Sequence, residues 1–187
     1  MHIILSQIIM NEYHPSKVFK FCMFCGANGF KWNDKNAFVC PTCNRKFYIN
    51  MSSAVVAIIY NQKGELLLTR RKNEPAKGML DLPGGFVNLG ETVENAVVRE
   101  VREELNIDVT ELKFVGTFPN EYVFDGITYF TEDSAFVCKV ADFSNITAND
   151  DVLSFEFKNI DEIDIDDIGL QSIKNVILKL NDFKNND

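Results

Sequence analysis

The sequence contains no long apolar run. No stretch approaches the roughly 18 apolar residues that a membrane-spanning helix needs. The opening residues Met1–Met10 have no basic start and no small-residue cleavage site, so they do not predict a secretory signal. We therefore expect neither a membrane protein nor a secreted one, and a cytoplasmic location is the default expectation.

The chain also has no overall excess of basic charge. Its formal net charge is −8 over 187 residues, which argues against a surface that mainly binds nucleic acid. The charge is uneven, because residues 17–50 hold six basic residues and one acidic residue, whereas residues 142–187 hold eleven acidic and four basic. An acidic enzyme can still bind an anionic substrate where metal ions and a few basic groups lie at the site.

Internal repeats are absent, and the only biased tract is the acidic stretch Asp161–Asp167, which is typical of a solvated loop. The length fits one medium domain, or a domain with a small module attached. Three segments are predicted from the changes in pattern. These are an N-terminal arm at residues 1–17, a cysteine-containing module at residues 18–50, and a main domain at residues 51–187.

The main domain has alternating strand and helix signals. The apolar, β-branched run Ala54–Tyr60 predicts a buried strand, and the turn Asn61–Gly64 separates it from a second strand at Glu65–Thr69. Thr92–Leu105 predicts a helix. Later strands are predicted at Leu112–Phe118, Ser134–Val140 and Leu153–Phe157, with a hairpin at Tyr122–Tyr129 and a closing amphipathic helix marked by Leu170, Ile173, Ile177 and Leu180. This mixture predicts a layered α/β sandwich.

Four of the five cysteines form two closely spaced pairs. Cys22 and Cys25 are separated by two residues, as are Cys40 and Cys43, and fourteen residues lie between the pairs. Two such knuckles brought together make a tetrahedral four-thiolate site, which suits zinc. A module this small cannot bury enough surface to fold alone, so the metal would supply the missing stability. The site would be structural, because four protein ligands leave no open position for chemistry.

Two other interpretations of the cysteine pairs stay open at this stage. A pair of disulfides would require an oxidising compartment, and an iron site of the rubredoxin kind uses similar ligands. We favour zinc over both. Cys138, the fifth cysteine, lies in an apolar strand and is interpreted as a small core residue.

A cluster of glutamates lies on the predicted helix. Glu100, Glu103 and Glu104 fall within an arc of about 100°, and an adjoining arc is apolar. Like charges at this spacing weaken a helix slightly, and a divalent cation such as Mg²⁺ would reverse that penalty. The glycine-rich segment before the helix lets the backbone approach the same ion or a substrate. A plain helix with solvated glutamates is the alternative.

The full spacing of this segment is more specific than the glutamates alone. Gly85 is followed after five residues by Glu91, and seven further residues lead to Arg99-Glu100 and then to Glu103-Glu104. This pattern resembles the Nudix box, with Asn106 in the place of a glycine. Asparagine tolerates the left-handed conformation that ends a helix. The resemblance extends from Ser52 to about Leu180 and implies a Nudix α/β/α sandwich with a mixed sheet, preceded by a small zinc ribbon.

The resemblance also implies roles for individual residues. Glu100, Glu103 and Glu104 would bind magnesium or manganese, and the Gly85 carbonyl would add a ligand. Arg99 would orient the glutamates, and Glu91 would brace the junction between loop and helix. Water would attack a phosphorus atom of a diphosphate, and Glu100, Glu103 or a loop acid, Asp151, would accept its proton. The family further suggests a homodimer.

A zinc ribbon before a Nudix domain is similar to the arrangement in bacterial NADH pyrophosphatases. Those enzymes carry Ser-Gln-Pro-Trp-Pro-Phe-Pro-x-Ser after the box, whereas this chain has Thr117–Asp125, in which only Pro119 and the aromatic Tyr122 agree. The expected reaction is therefore hydrolysis of ADP-ribose, an NADH-like molecule or a related nucleoside diphosphate derivative, releasing a nucleoside monophosphate.

Several residues are candidates for contact with that substrate. Phe118 and Tyr122, together with Phe124 and Tyr129, could stack on a base, although aromatic residues in strands more often pack in a core or a hairpin. Arg70, with Arg71 and Lys72, could meet phosphate at the end of a strand; a merely exposed basic strand end is the alternative.

A protein without catalytic activity is the alternative function. Some Nudix-like domains are nucleotide sensors, and the basic ribbon could bind RNA or a partner protein. Such sensors usually lose glutamates of the box. This chain keeps them, so the sequence favours catalysis, and RNA is a less favoured partner than a small nucleotide.

Overall fold

The protein is described from a computed structural model that covers residues 11–33 and 36–185. The strands, in chain order, are β1 Lys31–Trp32, β2 Ala37–Val39, β3 Lys46–Tyr48, β4 Ser52–Ile58, β5 Leu66–Arg71, β6 Leu80–Asp81, β7 Gly84–Phe86, β8 Val109–Phe124, β9 Ile127–Val140 and β10 Val152–Lys158. The helices are α1 Pro15–Val18, α2 Val93–Leu105 and α3 Gln171–Asn185, with short 3-10 turns at Ile160–Glu162 and Ile165–Asp167.

The described chain divides into two compact units. The first unit comprises the residues up to Asn50 together with Val123–Tyr129, and the second comprises Met51–Tyr122 together with the residues from Phe130 onward. The boundaries proposed from the sequence differ, because residues 123–129 were there assigned to the main domain. The three predicted segments therefore stay a proposal.

The first unit is built on a three-stranded antiparallel sheet in the order β1-β2-β3. Trp32 on β1 lies opposite Phe38 on β2, so the two strands between the cysteine pairs run antiparallel. Phe30 and Phe38 stack at 5.0 Å in the small core of this unit. Of the predicted N-terminal arm, residues 1–10 lie outside the described residues. Residues 11–18 contain a turn and α1, and His14 is buried with its ring edge-on to Trp32 at 5.1 Å.

The second unit contains two sheets. One is mixed, in the order β7-β4-β9-β8, with β4 parallel to β9 and antiparallel to β7. The other is antiparallel, in the order β10-β5-β6. β4 is an apolar, β-branched segment and β5 is rich in leucine, as the sequence predicts for strands. The central residues of both strands are almost fully buried.

Two hydrophobic cores lie on opposite faces of these strands. One core combines Val55, Ala57 and Phe136 with the apolar face of α2, including Val97 and Val101. The other core combines alternate residues of the same strands, such as Val56 and Ala135, with the apolar face of α3. Successive strand residues point to opposite faces, so one strand supplies both cores. The predicted α/β/α sandwich with a mixed sheet is confirmed.

The predicted strands and helices are all present, but the bounds of some differ and several short elements were not predicted. The predicted strand Leu112–Phe118 and part of the predicted hairpin are one long strand, β8, which turns at Asp125-Gly126 into β9. Both turn residues have positive φ, as tight hairpins require. The short strands β6 and β7 were not predicted, since the glycines around them read as a loop. Among the described helices, none has both the length and the apolar character needed to cross a membrane.

Candidate active site

The helix α2 is well defined at both ends. The Thr92 hydroxyl accepts a hydrogen bond from the Asn95 N–H at 3.2 Å, which caps the amino end. Asn106 ends the helix in the left-handed conformation, with φ 55° and ψ 36°. The prediction that asparagine replaces glycine at a left-handed position is confirmed. The glutamates between these caps are therefore held on a rigid element.

Arg99 connects the loop before α2 to the glutamates on the helix. Its guanidinium donates twice to Glu91, at 2.9 and 2.8 Å, and once each to Glu100 at 2.7 Å and Glu103 at 2.9 Å. It also donates to the Phe86 carbonyl at 3.0 Å. The hydrogen bonds from Arg99 lower the pKa of Glu91 to about 2. One cation thus fixes the carboxylates by charge-assisted bonds.

Two of the glutamates are buried. Glu100 is 9% exposed and Glu104 is 7% exposed, whereas the Glu103 side chain is half-exposed. Burial raises the pKa of Glu100, and it raises that of Glu104 well above the usual value. The nearby carboxylates of Glu100, Asp81 and Asp151 add to the effect on Glu104. Burial is thus the main cause of the raised pKa values, and the neighbouring carboxylates act in the same direction.

The double glycine before α2 lets the chain pass close to these carboxylates. A Cβ at Gly84 would collide with the carbonyl of Val55 on the paired strand β4, and Gly84 has φ +154°. A Cβ at Gly85 would lie 2.7 Å from Glu100 Cδ. The Gly84 N–H donates to Glu104 at 3.0 Å. Gly84 therefore requires glycine because the β4 backbone occupies the space of a side chain, whereas a side chain at position 85 would displace the Glu100 carboxylate.

These residues fit a hard divalent cation by their chemistry. Carboxylate and carbonyl oxygens are the ligands such ions prefer, and Mg²⁺ keeps several waters and needs few protein ligands. Within the described part of the chain, only the cysteines bring three or more ligand atoms within 4.8 Å of one another. The carboxylate oxygens of the three glutamates do not meet this distance. Arg99 donates to Glu100 and Glu103, whereas the Gly84 N–H donates to Glu104.

A cleft in the second unit adjoins the buried end of this cluster. Of the residues predicted from the sequence, Gly85, Glu104, Asp151, Arg70 and Tyr122 line it. Asp151 accepts a hydrogen bond from Asn73 at 2.7 Å at the rim. The structure thus brings the loop acid Asp151 and Glu104 of α2 to one cleft, although they are 47 positions apart in the chain. Glu100 and Glu103 are not among the residues that line it.

Phe118 is not at this cleft. It is 8% exposed, belongs to the core beneath α3, and has Lys179 Nζ 5.4 Å from its ring centre. Phe124 and Tyr129 face each other across the hairpin at 6.4 Å. For Phe118, the alternative of core packing agrees with its position, and only Tyr122 among these aromatic residues reaches the cleft.

The basic residues at the end of β5 are paired with carboxylates or with a backbone carbonyl. Arg70 is paired with Glu156 at 3.0 Å and with Asp167 at 3.2 Å, and Arg71 is paired with the buried Asp81. Lys72 donates to the Asp150 carbonyl at 2.8 Å. A phosphate that approached Arg70 would compete with two carboxylates. The sequence does not reveal this, because the partners lie 86 and 97 positions away.

Several polar residues of the cleft were missed from the sequence. Asp81, Asn120, Thr131 and Asp133 are all buried, and all line the cleft. An aspartate at the start of the apolar run Ser134–Val140 is the one local signal that could have pointed to Asp133. Asn120 gives no signal in the sequence, because its burial follows from strand pairing alone.

The four paired cysteines meet in the first unit. Sγ of Cys22 lies 3.8 Å from that of Cys43, and Sγ of Cys25 lies 3.7 Å from that of Cys40. A tetrahedral site with metal–sulfur bonds of about 2.3 Å has sulfur–sulfur edges of about 3.8 Å. The thiols are not joined in disulfides, so that alternative is wrong. A hydrogen bond from the Cys43 N–H lowers the pKa of Cys40 to about 6. Against the opposite effect of a hydrogen bond with the Ala27 backbone, burial and hydrogen bonds with the other three thiols raise the pKa of Cys25 to about 12.

The fold and the glutamate helix together define a Nudix domain. The family model described as NUDIX domain matches residues 51–179, and the chain belongs to the Nudix family. A NUDIX hydrolase from Nitrosomonas europaea has the same fold, with a TM-score of 0.60 and 24% identity over 86% of this chain and 89% of that one.

Curated relatives share parts of the sequence. The NAD-capped RNA hydrolase NudC of Vibrio atlanticus is 26% identical over 165 residues, which cover 88% of this chain and 60% of that protein. The protein of the same name from Pectobacterium atrosepticum is 32% identical over 100 residues, 54% of this chain and 38% of that protein. The ADP-ribose pyrophosphatase of Methanocaldococcus jannaschii is 50% identical over 62 residues, 33% of this chain and 36% of that protein. The chain therefore spans between about a third and three fifths of these relatives.

Proposed function

We propose that this chain hydrolyses the diphosphate linkage of a nucleoside diphosphate derivative, such as ADP-ribose or an NADH-like molecule, and releases a nucleoside monophosphate. The observation that carries the proposal is the pair of buried glutamates, Glu100 and Glu104, held beside the cleft by Arg99 and the Gly84 N–H. Relatives named for hydrolysis of NAD-capped RNA and of ADP-ribose support the substrate class.

Glu100, Glu103, Glu104 and the Gly85 carbonyl would hold the magnesium or manganese ions. When bound, such ions supply charge that offsets the phosphoryl oxygens and lowers the pKa of a coordinated water. Arg99 keeps two of the three glutamates in place, and Glu91 keeps Arg99 in place. Because these bonds exist before substrate arrives, little reorganisation is needed at the moment of reaction.

The proton of the attacking water needs an acceptor near the cleft. Glu104 and Asp151 both line the cleft, and the charge of Asp151 contributes to the raised pKa of Glu104. Glu100 and Glu103 are tied to Arg99. We propose Asp151 as the loop acid for this step, because its carboxylate has a neutral partner, Asn73, in addition to its place in the cleft. Tyr122 and Arg70, which also line the cleft, would contact the substrate.

We also propose that the cysteine quartet binds structural zinc. The sulfur–sulfur distances match a tetrahedral site, and the four thiols occupy every ligand position. A homodimer, which the family resemblance suggests, and a cytoplasmic location, which is the default expectation from the sequence, are further proposals. Light scattering on the purified protein tests the first, and fractionation of the source cells tests the second.

The substrate is tested by hydrolysis with magnesium or manganese and separation of the products. ADP-ribose, NADH, a diadenosine polyphosphate and a nucleoside triphosphate form the panel. We expect release of AMP from ADP-ribose or NADH, with little action on the triphosphate. Faster cleavage of the triphosphate than of both diphosphate derivatives would overturn the proposed substrate class.

A further inference from the structure

A buried polar group in the cleft has no hydrogen-bond partner among the described residues. Asn120 on β8 is 7% exposed and lines the cleft, and its Oδ1 accepts no hydrogen bond there. Proteins rarely leave such an oxygen unpaired, because burial removes its bonds to water and lowers stability. Because Asn120 lines the cleft, this acceptor is available to a donor from a ligand or from an ordered water.

A second acceptor lies on the neighbouring strand. Asp133 on β9 is 5% exposed and lines the same cleft, and its Oδ1 accepts a hydrogen bond from the Thr131 hydroxyl at 2.8 Å. Burial raises the pKa of Asp133, while the hydroxyls of Ser172 and Thr131 lower it. Asn120 and Asp133, which we call the acceptor pair, stand on adjacent strands of the mixed sheet.

The register of the sheet separates the acceptor pair from the glutamates. Asp133 lies opposite Ala54 on β4, and Ala54 lies opposite Phe86 on β7. Two strand spacings, about 10 Å, therefore separate Asp133 from the Gly84–Phe86 strand. The acceptor pair shares the cleft with Glu104, but it is too far from the β7 backbone to serve the same ion.

The chemistry of the acceptor pair determines which chemical group of a ligand it can bind. The carboxylate repels phosphate oxygens, and the cations that line the cleft, Arg70 and Arg71, are paired with carboxylates. Hydroxyl groups, by contrast, donate to a carboxylate and to an amide oxygen. The phosphates of the substrate would lie at the proposed metal-binding glutamates. The acceptor pair would therefore contact a part of the same substrate that carries hydroxyl groups.

We propose that Asn120 and Asp133 form a subsite that accepts hydrogen bonds from the vicinal hydroxyls of a ribose in the substrate. The inference rests on the proposed function, which places a nucleoside diphosphate derivative in the cleft. The ribose is either that of the nucleoside or a second one beyond the diphosphate. Both present the same pair of donors.

The test measures binding by calorimetry without added divalent metal, so that no turnover occurs. The proteins are the wild type, Asn120→Leu, Asp133→Asn and the matched control Glu132→Gln, which alters an exposed carboxylate on the same strand. The probes are ADP-ribose, its analogue without the 2′-hydroxyl of the adenosine, and its analogue without the 2-hydroxyl of the terminal ribose.

The wild type and Glu132→Gln are expected to bind ADP-ribose about tenfold more tightly than one of the two analogues. That analogue identifies which ribose is bound. Asn120→Leu and Asp133→Asn are expected to lose this preference. An equal loss for all three probes, an unchanged preference in both variants, or no measurable binding of ADP-ribose to the wild type would overturn the subsite.

Thermal unfolding separates a binding role from a structural one. Asn120→Leu removes an unpaired buried acceptor at similar volume, so its melting temperature should equal or exceed that of the wild type. A lower melting temperature with the hydroxyl preference intact would show that Asn120 stabilises the fold and does not bind the ribose.

Hydrolysis with magnesium is measured in parallel. A wild type that is inactive but still prefers the hydroxyl-bearing probe would refute the proposed activity and support the subsite.

Discussion

Gly85 lies directly against the carboxylate of Glu100: a Cβ at position 85 would lie 2.7 Å from Glu100 Cδ and 2.7 Å from its Oε1. The glycine backbone on β7 and the glutamate on α2 therefore share one small volume. The position of Glu100 depends on the absence of a side chain at residue 85, and this dependence can be tested.

Gly85→Ala should move the Glu100 carboxylate and lower kcat/KM for ADP-ribose by about 100-fold, because a displacement of about 1 Å costs that much at a reacting centre. Gly85 does not have a left-handed φ, so alanine adds no backbone strain there. Gly64→Ala is the control, since Gly64 has φ +78° and open space around its Cα. It should lose stability and keep activity. Wild-type activity in Gly85→Ala would contradict this arrangement.

Arg99→Lys should lower activity by about 10- to 100-fold, the range for groups that orient metal ligands. Lysine keeps the charge but cannot bond Glu91, Glu100 and Glu103 with one planar group. Arg102→Lys on the same helix is the matched control. The salt bridge between Arg102 and Asp108 is largely exposed and contributes at most about 1 kcal/mol. Steady-state kinetics should separate the two variants, and equal activities would refute the role of Arg99.

Cys40→Ser should lower the bound zinc from one ion per chain toward none, as measured by native mass spectrometry, and should lower the melting temperature of the first unit. Its thiol is one of four that meet within 4.8 Å. Cys138→Ser is the matched substitution, since Cys138 is buried in the core beside α2 with Phe136. It should keep the zinc. Iron in the purified protein, or zinc retained by Cys40→Ser, would refute the zinc site.

Asn106→Ala should lower the free energy of unfolding by about 1–2 kcal/mol, because alanine is strained at φ 55°. It would also lose the bond from the Asn106 amide to the Asn145 carbonyl at 3.1 Å. Asn106→Gly should restore most of the loss by relieving the backbone strain. Chemical denaturation measures both variants, and equal stability of alanine and glycine at this position would contradict the left-handed cap.

Features with short sequence spacing could be predicted well. The glutamates on α2 and the cysteine pairs each depend on residues within one helix turn or one knuckle, so spacing alone places them. Asn120 and Asp133 could not be found in this way, because their burial in one cleft depends on the pairing of β9 with β4 and β8. Arg70 shows the same limit, since its acidic partners come from β10 and the 3-10 turn at Ile165–Asp167.

We propose that the buried glutamates of α2 carry metal-dependent cleavage of a diphosphate. The most direct test of this proposal compares AMP release from ADP-ribose by the wild type, Glu104→Gln and Glu94→Gln across a magnesium titration. Glu94 is exposed in the first turn of the same helix. We expect a loss of at least about 100-fold for Glu104→Gln and little change for Glu94→Gln. Equal activity of the two variants, or no magnesium-dependent AMP release by the wild type, would contradict the account and favour a nucleotide sensor.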